Sequence, residues 1–200
     1  MEHTLGKIYA FDFDGTLTKR DTLVEFIRFA KGDKAFVLCM LRFLPILLAM
    51  KAGLYPNWKA KQKVFSYCFK GMTVDAFNAL CRRFAGEKAH LMRPKGKQKI
   101  REVLAEGGKV IVVSASINNW VEPFFSEFGD VFVVGTMVEE REGVLTGRFL
   151  TKNCYGREKV NRLLQLYPER RQYHLTAFGD SRGDMELLDF ADEGYYKPFR

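Results

Sequence analysis

Cysteine is sparse in this chain and never paired. Cys39, Cys68, Cys81 and Cys154 lie far apart and form no Cys-x-x-Cys, which argues against zinc and thiol-redox motifs. Buried free thiols in a reducing cytoplasm are the expectation. A long basic run is also missing. The net charge is +8, from 32 basic and 24 acidic residues, yet the basic residues are scattered. Lys95, Lys97 and Lys99 alternate with Gly96 and Gln98 before Arg101, which reads as the solvated start of a helix. Nucleic acid is therefore not expected, and the charge points to anionic small molecules or an acidic membrane surface. No apolar run reaches the about 20 residues of a spanning helix. The longest, Phe36 to Met50, is interrupted by Arg42 and Pro45. The N-terminus shows no signal peptide, and a cytoplasmic location is expected. There is no internal repeat and no low-complexity tract.

What is present is the stretch from Ile8 to Thr18. An apolar run, Ile8 to Phe13, carries two aspartates spaced by one residue, Asp12 and Asp14, followed at once by Gly15 and Thr16. A short apolar run stopped by glycine reads as a buried parallel strand. Ligands in open α/β sheets bind at the carboxyl ends of such strands. The equal parity of Asp12 and Asp14 predicts that both carboxylates share one face. Two like charges that close call for a cation, and Mg²⁺ suits a few carboxylates plus phosphate oxygens.

Residues 19–90 show helical periodicity. Asp21 or Thr22 caps a helix carrying Leu23, Phe26, Ile27 and Ala30, and Gly32 ends it. The apolar stretch, a basic helix over 58–69 and a helix capped by Thr73 follow. Strands are predicted at Val110–Val113, Val131–Val134, Tyr173–Phe178 and Ala191–Tyr196, with helices at 94–106, 118–128 and 156–166 and another opened by Gly179 to Asp184. A hairpin is predicted around Arg141-Glu142-Gly143. The alternation implies an α/β fold, a Rossmann-like doubly wound parallel sheet, with an inserted helical cap. The expected division is a core of residues 1–18 and 91–200 and a cap of residues 19–90.

Parallel strands bring their carboxyl ends to one edge, so Asp12, Asp14, Ser114, Lys159, Asp180 and Asp184 are expected to converge. Taken singly, each has an ordinary explanation: a chance Asp-x-Asp, a helix-capping serine, a solvated lysine, a strand-to-helix turn. Their order, each at a predicted strand end or helix start, favours a phosphate and metal site. Asp12 is the candidate nucleophile, and Asp14 the acid and then the base. Mg²⁺ is expected among Asp12, Asp14 (through its backbone carbonyl), Asp180 and Asp184. Ser114 and Lys159 suit phosphate oxygens, helped by the backbone near Gly15, Thr16, Ala115 and Ser116.

The segments Asp12-Phe13-Asp14-Gly15-Thr16-Leu17-Thr18, Val112-Val113-Ser114, Lys159 and Gly179-Asp180-Ser181-Arg182-Gly183-Asp184 resemble the four motifs of the haloacid dehalogenase superfamily. The resemblance spans the chain. It implies a Rossmann-like core, Mg²⁺ and phosphomonoester hydrolysis through a phospho-aspartate. The second aspartate of the first motif is similar to the phosphatase branch, and the insertion resembles the cap of the subclass that includes phosphoserine phosphatase. In that resemblance Asp21 takes the place of the cap acid that holds an amino group, one methylene shorter than the usual glutamate. Two further positions depart from it: Gly183 stands where asparagine is usual, and Tyr155 where the lysine is. The segments Gly156-Arg157-Glu158-Lys159-Val160 and Tyr195-Tyr196-Lys197-Pro198-Phe199-Arg200 resemble a neighbouring group that includes phosphatidylglycerophosphatase C-type enzymes.

A small organic phosphomonoester is the expected substrate. A lipid phosphate handled at the membrane surface, phosphoserine, and phosphate binding without turnover are the alternatives. The stretch from Phe36 to Met50 is expected to be a helix buried inside the cap. Its alternative is an apolar face dipping into an anionic membrane interface, with Lys51, Lys59, Lys61 and Lys63 at the head groups.

Overall fold

The computed structural model describes residues 6–200, so residues 1–5 of the expected core lie outside the described residues. Five strands form one parallel sheet: β1 (Gly6–Phe11), β2 (Lys109–Ile117), β3 (Val131–Thr136), β6 (Tyr173–Gly179) and β7 (Glu193–Tyr196), in the order β3-β2-β1-β6-β7. A separate antiparallel pair, β4 (Val138–Arg141) and β5 (Val144–Phe149), turns through Glu142-Gly143, both left-handed. The helices are α1 (Thr22–Lys51), α2 (Asn57–Phe69), α3 (Val74–Glu87), α4 (Pro94–Ala105), α5 (Asn118–Val121), α6 (Arg157–Leu166) and α7 (Met185–Phe190).

The β-branched run of β2 is buried on both faces, as a central parallel strand requires. Alternate residues feed two cores. Ile8, Ala10, Ile111 and Val113 face α6 and α7 through Val160, Leu163, Leu187 and Leu188. Phe11, Val110 and Val112 face α4, and this second core continues without a break into the helices inserted after β1. Its hub is Phe26 of α1, whose ring centroid lies 4.9 Å from Trp120, 5.2 Å from Phe84, 5.3 Å from Phe69 and 5.7 Å from Phe77. Such stacked and edge-on rings anchor the helices to the sheet layer.

Several expected boundaries move. β1 stops at Phe11, and residues Phe13–Leu17 turn tightly, so both aspartates lie beyond the strand. The helix expected over 118–128 splits into α5 and a short turn, Glu122–Phe125, at Pro123, whose ring supplies no N–H to a longer helix. Gly32 breaks α1 with φ 78° and ψ 165°, and the helix resumes with Pro45 in its second half. The hairpin leans on the inserted helices: Gly71 donates to the Leu145 carbonyl and Leu145 to that of Met72, each at 2.9 Å. The stretch from Phe36 to Met50 is not buried as a whole. Phe36, Cys39, Met40 and Phe43 pack inward, while Val37, Leu38, Leu41, Leu44 and Leu48 are exposed. The helix is apolar all round but has a neighbour on one side only.

Candidate active site

The register of the sheet builds the site. Phe11, the last residue of β1, pairs with Val112 on one side and Phe178 on the other, so Asp12 emerges beside Val113 and Gly179, while β2 runs on to Ile117. The Asp12 N–H donates to the Phe178 carbonyl at 2.8 Å, which fixes the first residue past β1. Lys159, in the first turn of α6, sends its buried ammonium across the strand ends. It donates to Asp12 Oδ1 at 2.6 Å, Asp184 Oδ1 at 2.6 Å and the Val113 carbonyl at 2.8 Å. An ammonium has three protons, and all three are used.

Asp184 is equally occupied. Its Oδ2 accepts from Ser181 Oγ at 2.7 Å, Ser181 N at 2.9 Å and Asp180 N at 3.2 Å. It therefore shapes the loop that carries Asp180. The Thr16 hydroxyl lies 2.9 Å from Asp12 Oδ2 and 3.4 Å from Asp180 Oδ1 and shares its proton between them. Gly15 sits beneath with φ 84°, and a Cβ there would fall 2.5 Å from Asp180 Oδ2. Only glycine takes that conformation and that proximity without strain.

Asp14 belongs to a second cluster. Its carboxylate accepts from Thr22 N at 2.7 Å, Thr22 Oγ1 at 2.6 Å and Ser116 Oγ at 2.5 Å. Trp120 Nε1 in turn donates to Thr22 Oγ1 at 3.2 Å. The parity expectation fails here, because the turn after Phe11 sends the two carboxylates to different partners. The acidic group able to hold a metal is Asp12, Asp180 and Asp184, with one oxygen of each within 4.8 Å of the others. The Asp14 carboxylate is not part of it.

The remaining expected residues are distributed unevenly. Ser114 is fully buried within β2, and its Oγ accepts from Ser116 N at 3.0 Å. The Ala115 carbonyl accepts from Thr136 Oγ1 at 3.2 Å. Asp21 is exposed and caps α1, accepting from Leu23 N at 2.9 Å and Val24 N at 3.4 Å. Three participants were not anticipated as site residues. Thr22 reads as a helix cap in the sequence, and Ser181 as loop. Arg200, which forms an ion pair with Asp180, sits in the last strand's tail with no local signal of its role. The two departures Tyr155 and Gly183 meet in space: a Cβ at 183 would fall 2.3 Å from the Tyr155 ring.

The electrostatics separate the groups. Burial raises the Asp12 carboxyl to about 7, with Lys159 opposing and the Asp184 and Asp14 charges adding to the rise. Burial, then the charge of Asp21, also raises Asp14, against the bonds from Ser116 and Thr22. Asp184 is held low: burial would raise it, but Lys159 and Ser181 outweigh that. Burial disfavours the Lys159 cation, yet Asp12 and Asp184 together hold it charged. Three acidic side chains face two cations, the buried Lys159 and Arg200 at Asp180, which leaves one negative charge over in the cluster. Hard oxygen donors in that state fit a divalent cation such as Mg²⁺.

Two clefts flank the region. One of about 760 Å³, between α3 and the turn after α5, is lined by Asn78, Arg82, Lys97 and Glu127 and holds none of the converging aspartates. The other, about 650 Å³, lies between α2, the end of β5 and the segment leading into α6; it includes Trp58, Phe149, Asn153 and Tyr155 and likewise holds none of the converging aspartates. Through the Tyr155 ring it borders Gly183, the neighbour of Asp184.

Comparison with known proteins agrees with this geometry. The pattern of the haloacid dehalogenase-like hydrolases matches residues 9–189. Protein CicA of Caulobacter vibrioides is 34% identical over 196 residues, covering 96% of this chain and 86% of that protein. A phosphoserine phosphatase of Polaromonas sp. is 27% identical over 191 residues, covering 91% of this chain and 75% of that one. Among solved structures, a Bordetella pertussis protein of unknown function superposes with a TM-score of 0.78 at 20% identity, covering 93% and 87% of the two chains. The match over nearly the whole chain, on a five-stranded parallel sheet with these residues at its carboxyl edge, means that the chain belongs to the haloacid dehalogenase-like hydrolases.

Proposed function

We propose that this hydrolase is a Mg²⁺-dependent phosphatase that cleaves a small organic phosphomonoester through an aspartyl-phosphate on Asp12. The observation that carries the reading is the separation of the two aspartates. One is gripped by Lys159 among the converging carboxylates, and the other is held apart by Thr22 and Ser116.

Asp12, aimed by Lys159 and Thr16, attacks phosphorus while the bond to the leaving oxygen breaks. Asp14, whose burial favours the protonated form, gives that oxygen its proton. The resulting Asp14 carboxylate then takes a proton from water, which attacks the phospho-aspartate and frees Asp12. Lys159 keeps a positive charge beside the nucleophile throughout, and the part of β2 near Ser114 and Ala115 borders the phosphate oxygens. A divalent ion held by Asp12 and Asp180, with Asp184 behind them, supplies charge shielding between nucleophile and phosphate when bound.

The inserted helices and the hairpin act as the cap. The chain crosses to them and back through two segments that bond to each other: Lys19 donates to the Leu91 carbonyl at 2.9 Å and Arg93 to that of Leu17 at 2.7 Å. Thr18–Lys19 and 90–94 are thus the hinges of opening and closure. Phosphoserine is supported by the name of the Polaromonas relative, but Asp21 spends its carboxylate on capping α1. A lipid phosphate is the second reading, favoured by the exposed leucines of α1. A reducing cytoplasm suits four free, buried thiols.

The test is phosphate release, with and without Mg²⁺, from phosphoserine, sugar phosphates, nucleotides and a short-chain phosphatidylglycerophosphate, with Asp12→Asn alongside. One favoured class and a dead variant support the proposal. Release by neither protein from any ester overturns turnover and leaves a phosphate-binding module.

A further inference from the structure

We propose that the outer face of α1 docks the protein, without spanning, onto an anionic lipid surface. The face is built by helical spacing. Val37, Leu41, Leu44 and Leu48 follow at steps of four, three and four residues, which stacks them along one side of the helix. Leu38 widens the stripe. Leu38, Leu41 and Leu48 are 65%, 60% and 58% exposed. The opposite side is already used: Phe36, Cys39, Met40 and Phe43 pack against the aromatic core. The exposed leucines are therefore not a loosely packed interior but an unpartnered surface of a well-packed helix. A contiguous apolar stripe of this kind marks an interaction site.

Charge selects the partner. From Lys34 to Val74 the chain holds seven basic residues, Lys34, Arg42, Lys51, Lys59, Lys61, Lys63 and Lys70, and no acidic one. Lys34, Arg42 and Lys51 lie on α1 itself, and Lys59 and Lys63 are exposed on the neighbouring α2. Trp58 stands half-exposed where α2 begins, with the Lys59 ammonium 5.5 Å from its ring centroid. Leucines for the acyl boundary, a tryptophan at its rim and lysines without acids around them match an anionic bilayer interface. A second copy of this chain is a poor occupant, because a two-fold interface would face these basic residues with one another. Among the described residues no helix is long and apolar enough to cross a membrane, so the contact is peripheral.

The test needs no turnover and is independent of the phosphatase reading. Wild-type protein is floated with phosphatidylcholine vesicles with and without phosphatidylglycerol, at low and high salt. The two tryptophans report separately, since Trp58 is 43% exposed and Trp120 only 1%. We expect binding to the anionic vesicles alone, released by salt, with a blue shift that Trp58→Phe abolishes. Leu41→Glu with Leu44→Glu should weaken binding roughly tenfold or more, and Lys59→Glu with Lys63→Glu by at least roughly thirtyfold, if each lysine is worth about 1 kcal/mol at the surface. Unchanged circular dichroism and urea midpoint show that these variants fold. Wild-type protein that stays off both vesicles overturns the proposal. So does equal, salt-insensitive binding to both, or a concentration-dependent dimer that the leucine variant dissolves.

Discussion

The ammonium of Lys159 lies 2.6 Å from a carboxylate oxygen of Asp12, with both side chains closed off from solvent. The same ammonium bonds Asp184, so one cation holds two buried acids that would otherwise repel. Lys159→Met keeps the length of the side chain and removes the charge. It leaves Asp12 and Asp184 facing each other in a dry site. Removing one partner of a buried pair costs about 3–5 kcal/mol. The expected result is an unfolding free energy, measured by urea denaturation, lowered by that amount, and loss of phosphate release. A variant within about 1 kcal/mol of wild type would show that the pair does not bear on folding.

Tyr155 and Gly183 form a matched pair. The ring of Tyr155 fills the space that a side chain at 183 would take. Gly183→Asn alone should therefore destabilise the Asp180 loop and weaken Mg²⁺ protection in a thermal shift assay, by about 1–3 kcal/mol for overpacking. Combined with Tyr155→Gly it should recover much of that loss. A double-mutant cycle measures the coupling, and strict additivity of the two changes would refute it.

Much of this arrangement was legible in the sequence. The run before Asp12, the β-branched run before Ser114 and the strand before Asp180 each carried a strand-end signal, and parallel topology dictates that they converge. Three things were not legible. The turn over residues 13–17 breaks the period-two rule on which the shared face of Asp12 and Asp14 depended. The exposure of Leu38 and Leu41 depends on whether a second layer covers α1, and an apolar helix reads the same with one neighbour or two. Arg200 reaches Asp180 through a fold-level contact that no local pattern encodes.

Ser116 holds Asp14 by the carboxylate oxygen that Thr22 does not bond. Its hydroxyl donates to Asp14 Oδ2 at 2.5 Å, while Thr22 holds the other oxygen. A hydrogen bond to a charged group is worth about 1.5–3 kcal/mol, which corresponds to roughly ten- to hundredfold in rate if it positions the proton donor. Ser116→Ala should lower kcat by about that factor and leave KM nearly unchanged. Ser116→Thr, which keeps the hydroxyl, should rescue most of it. A change confined to KM would place Ser116 on the substrate instead.

The four thiols make the last test, one of burial and pH. Burial pushes the Cys154 thiol from its ordinary 9.0 up to about 11 and the Cys68 thiol up to about 12, and raises Cys39 and Cys81 as well. A thiol at 11 is about one part in a thousand thiolate at pH 8. Folded protein should therefore resist a thiolate-specific disulfide reagent at pH 8 and react fully once denatured. The sign of the linked stability follows from the raised values. The unfolded thiols ionise near 9 and the folded ones later, so the folded state keeps its full margin below about pH 9. That margin shrinks as pH rises toward 11. The urea midpoint should fall across that window. Rapid labelling of even one thiol in folded protein at pH 8 would contradict the burial of that residue.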